Sequence, residues 1–178
     1  MPYIKSEDRS KYDVVIQGVM ALIPLNESAM VQAVKVACFA DYLIQALKRV
    51  GNPSWPYVHH YSTRTGTEVK FREYAEELAR ILPGNPESRA GDLNYSLSLL
   101  TWGLCGDDPS RTQARYCMRS FIKGALWRAL LVNTNDFNGE EYIFFTGVFT
   151  DVIDEMYRRK TIPFETEKML ANGDLYGS

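Results

Sequence analysis

The sequence predicts an all-α fold, a compact helical bundle of about six helices followed by a short C-terminal helix. Three observations carry this prediction. Apolar residues recur at spacings of three and four along most of the chain, which is the period of one helix face. Period-two alternation, the mark of a half-buried strand, is nearly absent. The breaks between periodic segments hold proline, glycine and asparagine, which stop helices and form turns. Those breaks are short in the second half of the chain, so neighbouring helices are expected to run antiparallel.

The first helix is expected from about Ser6 to Ile23, with Pro24 ending it. The second spans Ser28 to Val50, where Ser28 suits the N-cap, Gly51 the position past the end, and Lys48 with Arg49 the negative helix pole. Val36, Phe39, Leu43, Leu47 and Val50 share one face of it. Gln32, Lys35, Asp41 and Gln45 interrupt its apolar run, so it reads as a buried helix and not as a membrane span. Asn52 to Thr65 is a loop that packs Trp55, Tyr57, His59, His60 and Tyr61 beside two prolines. Thr65 and Glu68 have capping-box spacing and open a third helix that runs to Leu82, where Pro83-Gly84 stops it.

Asn85 to Gly91 reads as a turn-rich connector, and a fourth helix follows from about Asp92 to Leu104. Pro109 suits the first turn of a fifth helix that reaches about Val132, and Asn133 to Gly139 is a polar loop. The sixth helix runs from Glu140 to about Lys160 on a stripe of Tyr142, Phe145, Phe149, Val152 and Met156. Pro163 is expected to break it, leaving a last helix from about Phe164 to Ala171.

A chain of 178 residues suffices for one domain with its own core, so a single helical domain over 1–178 is expected. With 46% hydrophobic and 24% charged residues the composition is that of an ordinary globular protein. A formal net charge of −2 argues against general nucleic-acid binding. Cys38, Cys105 and Cys117 are odd in number and widely spaced, which opposes a disulfide framework or a cysteine-rich zinc site and fits a reducing cytoplasm. The N-terminal residues hold no apolar signal core, and no membrane partner is expected.

Two basic groupings attract chemistry. Arg111, Arg115, Arg119 and Lys123 stand four apart on the fifth helix, with no acidic residue between Ser110 and Asn135. Like charges so spaced destabilise a helix by roughly 0.2–0.5 kcal/mol per pair, so a compensating anion is expected. The next helix supplies one ordinary answer: antiparallel pairing would set Arg119 near Asp151 and Arg115 near Glu155. The second grouping is Tyr157, Arg158, Arg159 and Lys168, a set of guanidinium, ammonium and phenol groups suited to a phosphate or carboxylate. Basic residues at a helix end are also what the helix dipole favours.

Glu73, Glu76 and Glu77, set against Asp151, Asp154 and Glu155, have the spacing at which facing helices hold magnesium, although a solvated helix face has it too. His59 and His60 are the only histidines, and no triad, P-loop or dinucleotide fingerprint is present. Trp55, Trp102 and Trp127 read as core residues before stacking platforms, and Trp55 between two prolines is the best exception, since an exposed loop tryptophan can stack on a base.

Three stretches, in order, resemble an uncharacterised family of short tailed-phage and prophage proteins. They are Met1-Pro2-Tyr3-Ile4 with Glu7, Arg9 and Asp13, then Gly91-Asp92-Leu93-Asn94-Tyr95, and last Gly147-Val148 with Glu155-Met156-Tyr157-Arg158-Arg159, Pro163-Phe164-Glu165, Lys168 and Asn172-Gly173-Asp174-Leu175-Tyr176. Residues 29–89 look like an insertion relative to shorter relatives, Phe164 stands where the family often has tyrosine, and Thr150 where it often has glutamate.

The resemblance implies a helical phage accessory protein in the host cytoplasm. Asn94, Tyr95, Tyr157, Arg158, Arg159, Glu165, Lys168, Asn172, Asp174 and Tyr176 are then the candidate ligand-binding residues, with Arg111, Arg115, Arg119 and Lys123 as a secondary basic row. The expected function is binding of an anionic small ligand, such as a nucleotide-derived immune signal held in counter-defence. No cofactor or metal is expected, and one subunit's tail is expected to complete a neighbour's site in a homo-oligomer. Two alternatives stand beside it. One is a magnesium-dependent nucleotide hydrolase of the all-α pyrophosphohydrolase kind, and the other is a structural module that binds a host protein.

Overall fold

The computed structural model describes residues 4, 6–63, 65–105 and 112–172, and among them every regular element is helical. The order is α1 (Ser6–Ala21), α2 (Ala29–Gly51), α3 (Glu68–Ile81), α4 (Pro86–Cys105), α5 (Thr112–Asn133), a 3-10 turn (Thr134–Asp136), α6 (Gly139–Met156), a π-helical turn (Tyr157–Thr161) and α7 (Ile162–Asn172). The all-α bundle with a short C-terminal helix is therefore the fold. Arg111, Asp174 and Tyr176 lie outside the described residues, as does Pro109 at the expected start of the fifth helix.

α2 is the central helix. It packs most extensively against α5 and α3, and its residues from Gln32 to Lys48 are buried except Val34. Ser28 caps it as its sequence predicts, accepting the Val31 N–H at 3.4 Å. By length and composition α2 passes for a membrane span, yet most of it is buried inside the protein. Its buried polar side chains all have protein partners, which is how a core helix carries them without the full desolvation cost. Gln32 donates to the Pro24 carbonyl at 2.6 Å, Lys35 to the Leu22 carbonyl at 2.9 Å and to both Glu27 oxygens at 2.7 Å, and Lys48 to the Asp136 carbonyl and to Glu141.

Around α2 the other helices bury their periodic faces. α1 contributes Tyr12, Val15, Ile16 and Val19, α3 contributes Phe71, Ala75, Leu78 and Ala79, and α4 contributes Leu93, Leu97, Leu100 and Leu104. On α6 the predicted stripe is buried at Phe145, Phe149, Val152 and Met156, while Tyr142 at its start is exposed. Two glycines let α1 approach its neighbours closely. A Cβ on Gly18 would stand 2.5 Å from the Tyr74 ring of α3, and one on Gly103 of α4 would stand 2.1 Å from the Met20 methyl.

Gly18→Ala is therefore expected to lower stability by about 1–2 kcal/mol, because overpacking against a stiff ring outweighs alanine's better helix propensity. Gly124→Ala, where a Cβ meets open space, is expected to raise stability by up to about 1 kcal/mol. Urea titration of the two variants checks this, and shifts of the same sign would contradict it.

The structure corrects four local expectations. α3 starts at Glu68 after Thr67, with no Thr65–Glu68 capping box. Glu68 instead accepts the Thr63 N–H, and the Thr63 hydroxyl accepts the Thr67 N–H at 3.1 Å, so the preceding loop is tied down rather than Thr65. α4 begins at Pro86, inside the predicted connector, because Asn85 accepts the Glu87 N–H on its side chain and the Arg89 N–H on its carbonyl. Pro163 does not break the C-terminal helix. The turn before it widens to π geometry, with the Ile162 N–H donating to the Tyr157 carbonyl five residues back, and this makes room for a ring that lacks an N–H. Last, the 133–139 segment is not wholly loop: Thr134–Asp136 form a 3-10 turn, and Asn138 and Glu141 form a reciprocal capping box at the start of α6.

Candidate ligand-binding clefts

The C-terminal arginine pair is assembled around one carboxylate. Glu155, buried at the end of α6, accepts from Arg158 at 2.8–3.0 Å and from Arg159, and the Arg159 guanidinium lies 4.5 Å from the Trp102 ring centre. Desolvation pushes the Glu155 carboxyl up, but the hydrogen bonds and charges of Arg158 and Arg159 together outweigh it and hold the group below its ordinary 4.5. A folded-state value below the unfolded one contributes stability above the ordinary carboxylate range and loses it as pH falls through the lowered value. Glu155→Gln is thus expected to cost about 1 kcal/mol near neutrality, discounted because both arginines are exposed. The difference from wild type should narrow as pH falls through the lowered Glu155 value in urea titrations, and a pH-independent difference would contradict the assignment.

The remaining predicted residues are dispersed. Tyr157 is exposed on the π-helical turn and Glu165 is half-buried on α7, while the Lys168 and Asn172 side chains lie outside the described set. Asn94 is buried in α4 and accepts from Ser98 at 3.1 Å. Tyr95 donates to Asp13 at 2.8 Å and lies under Arg9, so this pair fastens α4 to α1. In the basic row Arg119 is buried in α5, Lys123 is exposed, and the Arg115 side chain lies outside the described set. α3 packs on α2 and α1, whereas α6 packs on α4 and α5, so the structure does not bring their carboxylates together. Among the described residues no three His, Cys, Asp or Glu side chains are grouped closely enough to hold a metal.

A polar strip on α2 holds the 52–67 loop. Asp41, 1% exposed, accepts from Asn133 at 2.7 Å, from Gln45 at 2.9 Å and from the His60 Nδ1 at 3.0 Å. Gln45 also exchanges two hydrogen bonds with the Val58 backbone, at 3.0 and 2.7 Å, and the Tyr42 hydroxyl meets the His59 Nδ1 at 2.7 Å. Burial, reinforced by the nearby Asp41 charge, pushes the Cys38 thiol up to about 12, so it is protonated and no nucleophile. The adjacent histidines thus have a fastening role. Asp41 and Gln45, four apart in an apolar helix, were its sequence signal.

Held in this way, the loop forms one wall of a cleft of about 470 Å³ between the C-terminal ends of α2 and α3 and the turn into α4. Arg49, Arg80, Arg89, Tyr57 and Glu76 line it. The Arg49 and Arg72 guanidinium carbons lie 4.9 and 5.5 Å from the Tyr57 ring centre, and Arg72 pairs with Glu76 at 4.0 Å. The Tyr57 hydroxyl is buried without a hydrogen-bond partner. Burial first, then the neighbouring Glu76, raise this phenol well above its ordinary value, so it keeps its proton. Arg49 donates to the Trp55 carbonyl, and Arg89 to the Pro83 and Gly84 carbonyls at 2.8 and 3.0 Å, which sets their guanidinium planes. Arg80 is exposed and makes no hydrogen bond or ion pair with a described residue.

Arg89 also lines a second cleft, of about 220 Å³, with Lys48, Pro86, Glu140, Glu141, Phe144 and Phe145. Lys48 lies 4.1 Å from the Trp55 ring centre, so this tryptophan is engaged by an ammonium group. Neither cleft was read from the sequence, since their residues come from segments far apart in it.

The chain belongs to the family described as Domain of unknown function (DUF6899), whose profile matches residues 1–175. No curated protein and no solved structure matches it.

Proposed function

We propose that this member of the DUF6899 family binds a small anionic molecule, carrying phosphate or carboxylate, in the Arg49–Arg80–Arg89 cleft. The observation that carries the reading is the charge imbalance of a concave site: Arg49, Arg80 and Arg89 line it with a single carboxylate, Glu76, which Arg72 pairs at 4.0 Å. A cleft of 470 Å³ falls in the range of about 300–1,000 Å³ typical of small-ligand sites. Each guanidinium carries five donors, and the backbone carbonyls take one from Arg49 and two from Arg89.

These groups bind rather than react. Guanidinium groups stay protonated, and a phenol with a raised value is a poor base at neutral pH. The likeness to tailed-phage accessory proteins gives the reading a setting: a nucleotide-derived signal held intact in the host cytoplasm. The Arg158–Arg159 pair is the weaker site for such a ligand, because Glu155 already neutralises half its charge.

Thermal unfolding with phosphate, pyrophosphate, citrate and nucleoside phosphates, with and without magnesium, tests the proposal. A ligand at 100 times its dissociation constant stabilises the fold by about 2.7 kcal/mol, and it should be recovered unchanged. Absence of stabilisation by any of these anions, or consumption of the ligand with magnesium, would overturn the reading.

A further inference from the structure

We infer that the second cleft holds the flat, amine-bearing body of the same ligand, which makes the ligand class a nucleoside phosphate with an exocyclic amino group on its base. This rests on the anion-binding reading above and adds the other half of the molecule. Arg89 lines both clefts, so one ligand can set its anionic end in the first and its body in the second. At about 220 Å³ the second cleft is below the size that holds a whole ligand, and it suits one heteroaromatic ring system.

Its walls have the matching chemistry. Phe144 and Phe145 stand edge to face at 5.2 Å, and Phe145 stacks on Phe137 at 5.3 Å. The aromatic wall is therefore braced from behind and presents a preformed apolar surface. Beside Lys48 and Arg89 its lining carries two carboxylates, where the first cleft has three guanidinium groups and one carboxylate. Glu141 is engaged, by Lys48 at 3.1 Å and the Asn138 N–H at 3.0 Å. Glu140 is exposed in the first turn of α6 and makes no hydrogen bond or ion pair with a described residue.

An ionised carboxylate only accepts, so it selects a ligand donor and repels a phosphate. Arginines at one end and Glu140 at the other set the ligand's direction. The anion lies against Arg49, Arg80 and Arg89, and the amino edge of the base lies against Glu140.

Calorimetric titration with ribose phosphate, adenosine monophosphate and inosine monophosphate tests this, on the wild type and on Glu140→Gln, an exposed and fold-neutral change. Adenosine monophosphate is expected to bind at least tenfold tighter than ribose phosphate and about tenfold tighter than inosine monophosphate, which has a carbonyl in place of the amino group. In Glu140→Gln the preference for the amine should collapse, since an amide offers both a donor and an acceptor. Equal binding of ribose phosphate and adenosine monophosphate would remove the second cleft from the site and leave the anion reading intact. Equal binding of the two nucleotides by the wild type would overturn the amine-bearing class. Failure of all three to bind would overturn the anion reading itself.

Discussion

Asp41→Ala is expected to destabilise the protein by about 2–5 kcal/mol, the largest loss foreseen for a single polar side chain in this fold. The carboxylate is 1% exposed and is the shared acceptor of Asn133, Gln45 and His60. Alanine leaves the Asn133 and Gln45 donors facing each other in a buried space. Each unpaired donor there costs about 1–3 kcal/mol, while the half-exposed His60 recovers part of its loss through water. Asp41→Asn retains one acceptor and should lie between the two. The urea midpoint reads the effect, with an unchanged slope if the denatured state is unaffected.

The same change should weaken anion binding at a distance. Asp41 and Gln45 fasten the loop that carries Tyr57 into the first cleft. A loss under about 1 kcal/mol would mean that the loop is held mainly by its aromatic packing on α2.

Arg80→Glu is expected to lower the affinity for a phosphate-bearing ligand by about 100-fold or more while costing no more than about 1 kcal/mol of stability, through loss of the basic residue in the last turn of α3. A charge-assisted hydrogen bond to an anion contributes about 1.5–3 kcal/mol, and reversing the charge adds repulsion. Arg80 is the clean probe of the three. Arg49 and Arg89 also bind backbone carbonyls, so substituting either mixes binding with folding. Calorimetry and thermal unfolding on one preparation separate the two effects. Unchanged affinity would move the anion site away from this cleft. Arg158→Ala serves as the comparison, and a larger loss there would return the site to the C-terminal pair.

The sequence by itself determined the helices and much of the local charge pairing. Apolar spacing of three and four marks Phe145, Phe149, Val152 and Met156 on α6 and Val36, Phe39, Leu43 and Leu47 on α2, all buried, while Val50 at the end of the α2 stripe is exposed. Ser28 as a cap is equally local. The Glu155–Arg158–Arg159 cluster is local too, since residues three and four apart on a helix are neighbours, although the sequence reading set Glu155 against Arg115 instead.

Where sequence reasoning failed locally, the competing interaction lay a few residues outside the motif. Glu68 was taken up by Thr63, and Pro163 was absorbed by a widened turn. The sites are different in kind. The basic row Arg111, Arg115, Arg119 and Lys123 attracted notice because it is contiguous in sequence, yet Arg119 is buried. Arg49, Arg80 and Arg89 belong to three helices and form no pattern along the chain. Only the packing of α3 on α2, and the turn from α3 into α4, brings them to one cleft. Likewise Asp41 and Asn133 are 92 positions apart and meet because α2 packs on α5. Local periodicity reports which face a helix buries, but which helix end lies beside which is set by long-range packing that no single segment encodes.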